Sequence, residues 1–185
     1  VGAMAQPRGG PSPSGHRSHQ TGLDVDIWST PPPRLDLSRA ERETLGAMIV
    51  RTNDQTRVNG NWTPAHAAFL KLAASDPRVD RIFVAAAVKI DMCLKSTPAD
   101  ADWLQKIRPY FGHHDHMHVR LKCPRGDSAC QAQQPTVAEL SSGGSGCDAS
   151  LNWWVTTYLD ELRNPPPRKK PPGKKERGPR QYLMA

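Results

Sequence analysis

Two short stretches of this 185-residue chain concentrate residues that bind metal ions and move protons. The first is Gly15-His16-Arg17-Ser18-His19-Gln20-Thr21-Gly22-Leu23-Asp24-Val25-Asp26. The second is His113-His114-Asp115-His116-Met117-His118. Zinc takes imidazole nitrogen and carboxylate oxygen, and catalytic centres commonly use three protein ligands and a water. His19 and Asp26 lie across a glycine turn, where a loop entering a strand can aim both at one ion. His116 and His118 are two apart in a strand-like run and so share a face. One can bind metal while the other faces water or substrate, and His113 can lean over the same pocket. Singly, each group has an ordinary explanation: a His-x-His is usually incidental, and a His-rich turn is usually a solvated polar loop. Their combination is what points to a metal centre.

The surrounding elements must hold these groups together. Leu23 to Trp28 alternates apolar and acidic residues, a short half-buried strand ended by Pro31-Pro32-Pro33. Alternation puts Asp24 on the face of Asp26, where it can orient a ligand histidine. Ser38 and Glu41 form a capping-box pattern, and a helix is expected over 39–50. Residues 51–61 read as a polar loop. Thr63-Pro64 starts a helix that runs to Ser75. A strand over 79–84, a helix over 85–94 and a short helix over 101–107 follow. His116 to Lys122 reads as a strand, 124–146 as loop and 151–162 as a helix with Trp153 and Trp154. Trp153 and Trp154 read as packing that helix onto the core, with a glycan groove as the alternative. His66 reads as a solvated helix residue. Arg120 shares the face of His116 and His118; a strand salt bridge is the preferred reading, with a peptide carboxylate as the other.

The net charge of +7 is uneven. From Arg163 to Ala185 there are eight Lys/Arg against Glu176 alone, so residues 1–162 are formally neutral. A basic tail says little about the folded part, and no nucleic-acid partner is expected. We expect a domain over 1–162 and a disordered Pro/Lys/Arg-rich tail over 163–185. No stretch approaches the ~20 apolar residues of a membrane span. The start at Val1-Gly2-Ala3-Met4 reads as that of a fragment or processed form. Cys93, Cys123, Cys130 and Cys147 lack C-x-x-C spacing; their even count suits two disulfides and an oxidising compartment, with three pairings open.

The longer strings carry a resemblance. Gly-His-Arg-Ser-His-Gln-Thr-Gly-Leu-Asp-Val-Asp, Arg-Ile-Phe-Val at 81–84, and His-x-x-His-Met-His-Val-Arg-Leu-Lys-Cys-Pro from His113 resemble the penicillin-insensitive murein endopeptidases. These belong to the lysostaphin-type, D-Ala-D-Ala carboxypeptidase and hedgehog metallopeptidase superfamily. The similarity covers roughly residues 2–150. It implies His19, Asp26 and His118 as zinc ligands, and His116 as the residue that handles the proton of an activated water. It implies His113 as a stabiliser of the tetrahedral intermediate and His16 as a further site residue, linked to a second metal. Asn53 and Thr56 stand where the family has further metal-binding positions and are poor zinc ligands, so one zinc is expected. The resemblance also implies the pairs Cys93–Cys147 and Cys123–Cys130, a murein cross-link substrate and a periplasmic location. No His-Glu-x-x-His helix is present.

The expected fold is α+β, with a small antiparallel sheet carrying the zinc site between helices and long loops, and with its N-terminal part lacking. The expected activity is hydrolysis of D-alanyl–meso-diaminopimelyl cross-links in murein. The alternatives are a zinc D,D-carboxypeptidase or dipeptidase, and a non-catalytic zinc or cell-wall binding module. A homodimer stays open as an assembly.

Overall fold

The computed structural model describes residues 1–12 and 18–165. His16 and the tail from residue 166, both singled out above, lie outside the described residues. Four strands form one sheet in the order β1-β4-β2-β3: β1 is Asp24–Trp28, β2 Val79–Val84, β3 Ile107–Pro109 and β4 His116–Leu121. β4 is antiparallel to β1 and β2, and β3 is parallel to β2. The α+β expectation holds, with the added finding that the sheet is parallel at one edge. Parallel neighbours require a crossover, here supplied by α3 (Ala86–Leu94) and α4 (Ala101–Leu104).

Strand alternation splits the sheet into two faces. Val79, Ile82, Val84, Ile107, Met117 and Val119 face a core shared with Leu70 and Ala74 of α2 (Pro64–Ser75), Val88 and Met92 of α3, and Leu104 of α4. Each of the Val, Leu, Ile and Met side chains among them stabilises by about 1.5–3 kcal/mol on burial. The opposite face carries Asp24, Asp26, His116, His118 and Arg120. Gly2 to Met4 add to the free edge of β1, with Gly2 N bonded to Asp26 O at 2.7 Å and Asp26 N to Ala3 O at 2.9 Å.

Several boundaries differ from the sequence reading. α1 covers only Arg39–Thr44. Its capping box forms as expected, but Leu45 is extended and Val50 N is bonded to His114 O at 2.9 Å. Tertiary pairing thus wins over helix propensity across 45–50. The segment 101–107 ends as strand β3, because Ile107 enters the ladder beside Ile82. Within the expected 124–146 loop lies α5 (Val137–Leu140), capped reciprocally by Thr136 and Glu139. The last helix is two, α6 (Ser150–Val155) and α7 (Thr157–Arg163), broken at Thr156. His66 is no solvated bystander: its Nδ1 accepts from Thr63 N at 3.1 Å, its Nε2 donates to Ser29 O at 2.7 Å, and its ring stacks on Trp62.

The disulfides are Cys93–Cys147 and Cys123–Cys130. The first ties α3 to the segment before α6. The second closes a local loop just after β4. Among the described residues no helix is long and apolar enough to cross a membrane.

Candidate metal centre

The β1–β4 register builds the centre. Antiparallel pairing sets Asp26 opposite His118, Asp24 opposite Arg120 and Trp28 opposite His116. His19 arrives from the loop before β1 with φ of 60°, a left-handed conformation that costs a non-glycine residue about 1 kcal/mol or more. Gly22, at φ 80°, makes the following turn at no such cost.

His19, Asp26 and His118 are all buried and offer ligand atoms within 4.8 Å of one another. His19 Nε2 lies 3.2 Å and His118 Nδ1 3.0 Å from Asp26 Oδ1. Asp26 Oδ1 is buried, and imidazole nitrogens of His19 and His118 converge on it. This trio is the one group of His, Cys, Asp and Glu among the described residues whose side chains could together hold a metal ion.

The carboxylate of Asp24 sits behind the trio. Its Oδ1 accepts from His118 Nε2 at 2.9 Å, and both its oxygens accept from Arg120 Nη1, at 2.9 and 2.7 Å. Arg120 thus takes the strand salt bridge that was the preferred reading. Burial alone would raise the pKa of Asp24, but His118 and Arg120 outweigh it and hold the carboxyl below its usual range. Asp26 is likewise lowered against the pull of burial, by His118 foremost and by His116 and His19. For His118, burial opposes the charge, yet the two carboxylates push its pKa up to about 9 in the metal-free protein.

Two more imidazoles adjoin the trio. His116 Nε2 lies 3.8 Å from Asp26 Oδ1, and its Nδ1 lies 2.7 Å from Asp115 Oδ1. His113 stands 4.9 Å from His116, ring centre to ring centre, and gives its Nδ1 hydrogen to Phe111 O at 2.7 Å. Burial, with His116 nearby, pushes His113 down to about 4. Phe83, opposite His118 on β2, packs against Tyr110, His113 and His118.

The structure therefore brings together His19, Asp26, His118, His116 and His113. The sequence reading did not foresee Asp115, Phe83 or Tyr110. Phe83 was accessible in principle, since strand alternation opposes it to the core residues Ile82 and Val84. Asp115 gives no signal beyond adjacency to His116.

A two-histidine, one-aspartate cluster on the open face of a small mixed sheet, with two imidazoles beside it, defines a candidate metal centre of hydrolytic type. A family model described as penicillin-insensitive murein endopeptidase matches residues 1–182, and the chain belongs to that family. A penicillin-insensitive murein endopeptidase of Haemophilus influenzae is 42% identical over 154 residues, covering 83% of this chain and 52% of the relative. One from Klebsiella pneumoniae is 40% identical over 172 residues (93% and 60%). One from Yersinia pestis is 39% identical over 174 residues (94% and 58%). The chain thus spans about half to three-fifths of the length of these curated relatives.

Proposed function

We propose that this chain carries the catalytic centre of a zinc-dependent murein endopeptidase, which hydrolyses the amide joining D-alanine to meso-diaminopimelate in wall cross-links. The observation that carries this is the buried His19–Asp26–His118 cluster with His116 and His113 at its open side. The donor set fits zinc. Ligand atoms about 2.0–2.1 Å from a tetrahedral ion stand about 3.3 Å from each other, close to the 3.0 and 3.2 Å separations from Asp26 Oδ1. Asp24 bonded to the far nitrogen of His118 fixes that ring as second-sphere carboxylates do.

When bound, zinc would polarise the scissile carbonyl and acidify a water. His116 would take the proton: with Asp115 accepting from Nδ1, the Nε2 lone pair faces the cluster, which supports this reading. His113 in its neutral form donates from Nδ1 to Phe111 O, so its Nε2 is an acceptor. That favours a role in holding a substrate N–H over the oxyanion-donor role that the resemblance implies.

Endopeptidase cleavage is favoured over removal of a terminal residue by two cavities that share Tyr110 and His113 in their linings. One, of about 460 Å³, also touches His118, Arg120 and Gln131. The other, of about 130 Å³, also touches Arg51, Trp154 and Tyr158. Peptide can thus extend on both sides of His113. Two disulfides and a wall substrate suit the periplasm. The test is cleavage of cross-linked muropeptide dimers. We expect zinc-dependent, chelator-sensitive cleavage that His116→Ala reduces about a hundredfold or more while zinc content is kept. Zinc retention without cleavage by the parent chain would instead favour a binding module.

A further inference from the structure

The two cavities differ in charge. In the larger one the arginine is already neutralised, since Arg120 is paired with Asp24. In the smaller one, Arg51 is half-buried and forms no ion pair within 4 Å among the described residues. Its Nη1 donates to Thr52 O at 3.1 Å. It feels the charge of Asp115 at longer range. A half-buried guanidinium is stabilised by a counter-charge, and a carboxylate matches its planar donors in a bidentate pair.

Arg51 is also firmly placed. Val50 N bonds to His114 O at 2.9 Å, so residue 51 enters the cavity beside the histidine turn. Its backbone pairs with Val58, and Asn59 Nδ2 donates to its carbonyl at 2.9 Å. Around it, Tyr110, Phe111, Trp154 and Tyr158 supply aromatic walls, with Trp154 and Tyr158 in ring contact at 5.1 Å. Tyr110 and Phe111 are exposed, so an aliphatic stem packed on these walls would itself cover the ion pair and strengthen it.

We propose that this small cavity is a carboxylate subsite. In it, Arg51 grips the free carboxylate on the carbon that bears the nitrogen of the cut amide. This deepens the peptidase reading and rests on it for which side of the amide is held. In the proposed substrate that carboxylate belongs to diaminopimelate, and the aromatic walls receive its methylene stem. The arrangement makes Arg51 a specificity-determining residue, while the hydrolytic groups stay His116 and His113.

The test uses two muropeptide dimers that differ only in whether this carboxylate is free or amidated. The zinc-loaded parent chain should cut the free form about tenfold or more better by kcat/KM, the size expected of one charge-assisted pair. Arg51→Ala should lose that advantage, chiefly through a higher KM for the free form, so that the two dimers are cut about equally well. Arg51→Lys should recover part of the preference. Equal losses on both dimers, or no loss on either, would overturn the subsite. Equilibrium binding of the same dimers to the parent and to Arg51→Ala is measured in parallel, with zinc content as the fold check. Preference for the free form in binding, absent in Arg51→Ala, without cleavage by the parent would retain the subsite and count against the peptidase reading. No preference in binding or cleavage would overturn the subsite alone.

Discussion

His118 is shared between two carboxylates with different tasks. Asp24 bonds to Nε2 and Asp26 faces Nδ1, so the ring is fixed from behind while its front nitrogen meets His19 and Asp26. With its pKa near 9, metal-free His118 holds a proton at pH 7 that a metal must displace. Nitrogen-detected NMR of the metal-free protein should show His118 protonated up to about pH 9 and His113 neutral down to about pH 4. Zinc addition at pH 7 should release a proton. A His118 signal already neutral at pH 7 would contradict this. Asp24→Asn should weaken zinc binding about ten- to a hundredfold, read by competition with a chelator. Residue types and spacing made the histidines and Asp26 legible in the sequence, and strand alternation did the same for Asp24. Asp115 and Arg51 were not legible, because their places depend on the 110–115 turn and on the long-range pairing of Val50 with His114.

At the scale of elements, local signals succeeded where local physics decides. The Thr63-Pro64 start, the Ser38/Glu41 box and the alternation in β1 and β4 all form. They failed where distant partners decide: α1 stops early because 45–50 turns toward the histidine loop, and Ile107 joins β2. The α5 cap, Thr136 with Glu139, was readable, but the helix is four residues long and runs straight into Ser-Ser-Gly-Gly-Ser-Gly. α3 carries a testable consequence. Its Lys89 is fully buried, with Nζ bonded to Leu104 O at 2.7 Å and Ser145 O at 2.8 Å. Burial foremost, and Arg108 beside it, push its pKa down to about 7, against a partial pull from Asp148. Between about 7 and 10.5 the unfolded chain therefore holds more protons than the folded one. This contribution to stability is complete above the unfolded pKa and is lost as pH falls to about 7. Lys89→Met should flatten the rise in Tm between pH 7 and 10, a difference on the order of a few kcal/mol. An unchanged slope relative to the parent would contradict it.

For the whole molecule, one sheet divides two jobs. Its core face supports α2, α3 and α4, and its other face holds the polar cluster, with one cavity against His118 and a second beyond His113. This division follows from strand alternation, so the α+β class was legible from pattern alone. The pairing order was not, since β3 is three residues long and carries little pattern of its own. A cleft with room on both sides of His113 predicts that cross-linked dimers are cut faster than monomeric peptides ending in D-alanyl-D-alanine. The reverse preference, in a chromatographic assay of both, would favour the carboxypeptidase alternative. All of this depends on a zinc ion at His19, Asp26 and His118. The most direct measurement is zinc per chain in the folded parent, His19→Ala and Asp26→Ala, with folding checked by circular dichroism. About one tightly held zinc is expected in the parent, and its loss in folded samples of both variants. A folded parent that binds no zinc, or variants that keep it, would contradict a zinc centre at these three residues.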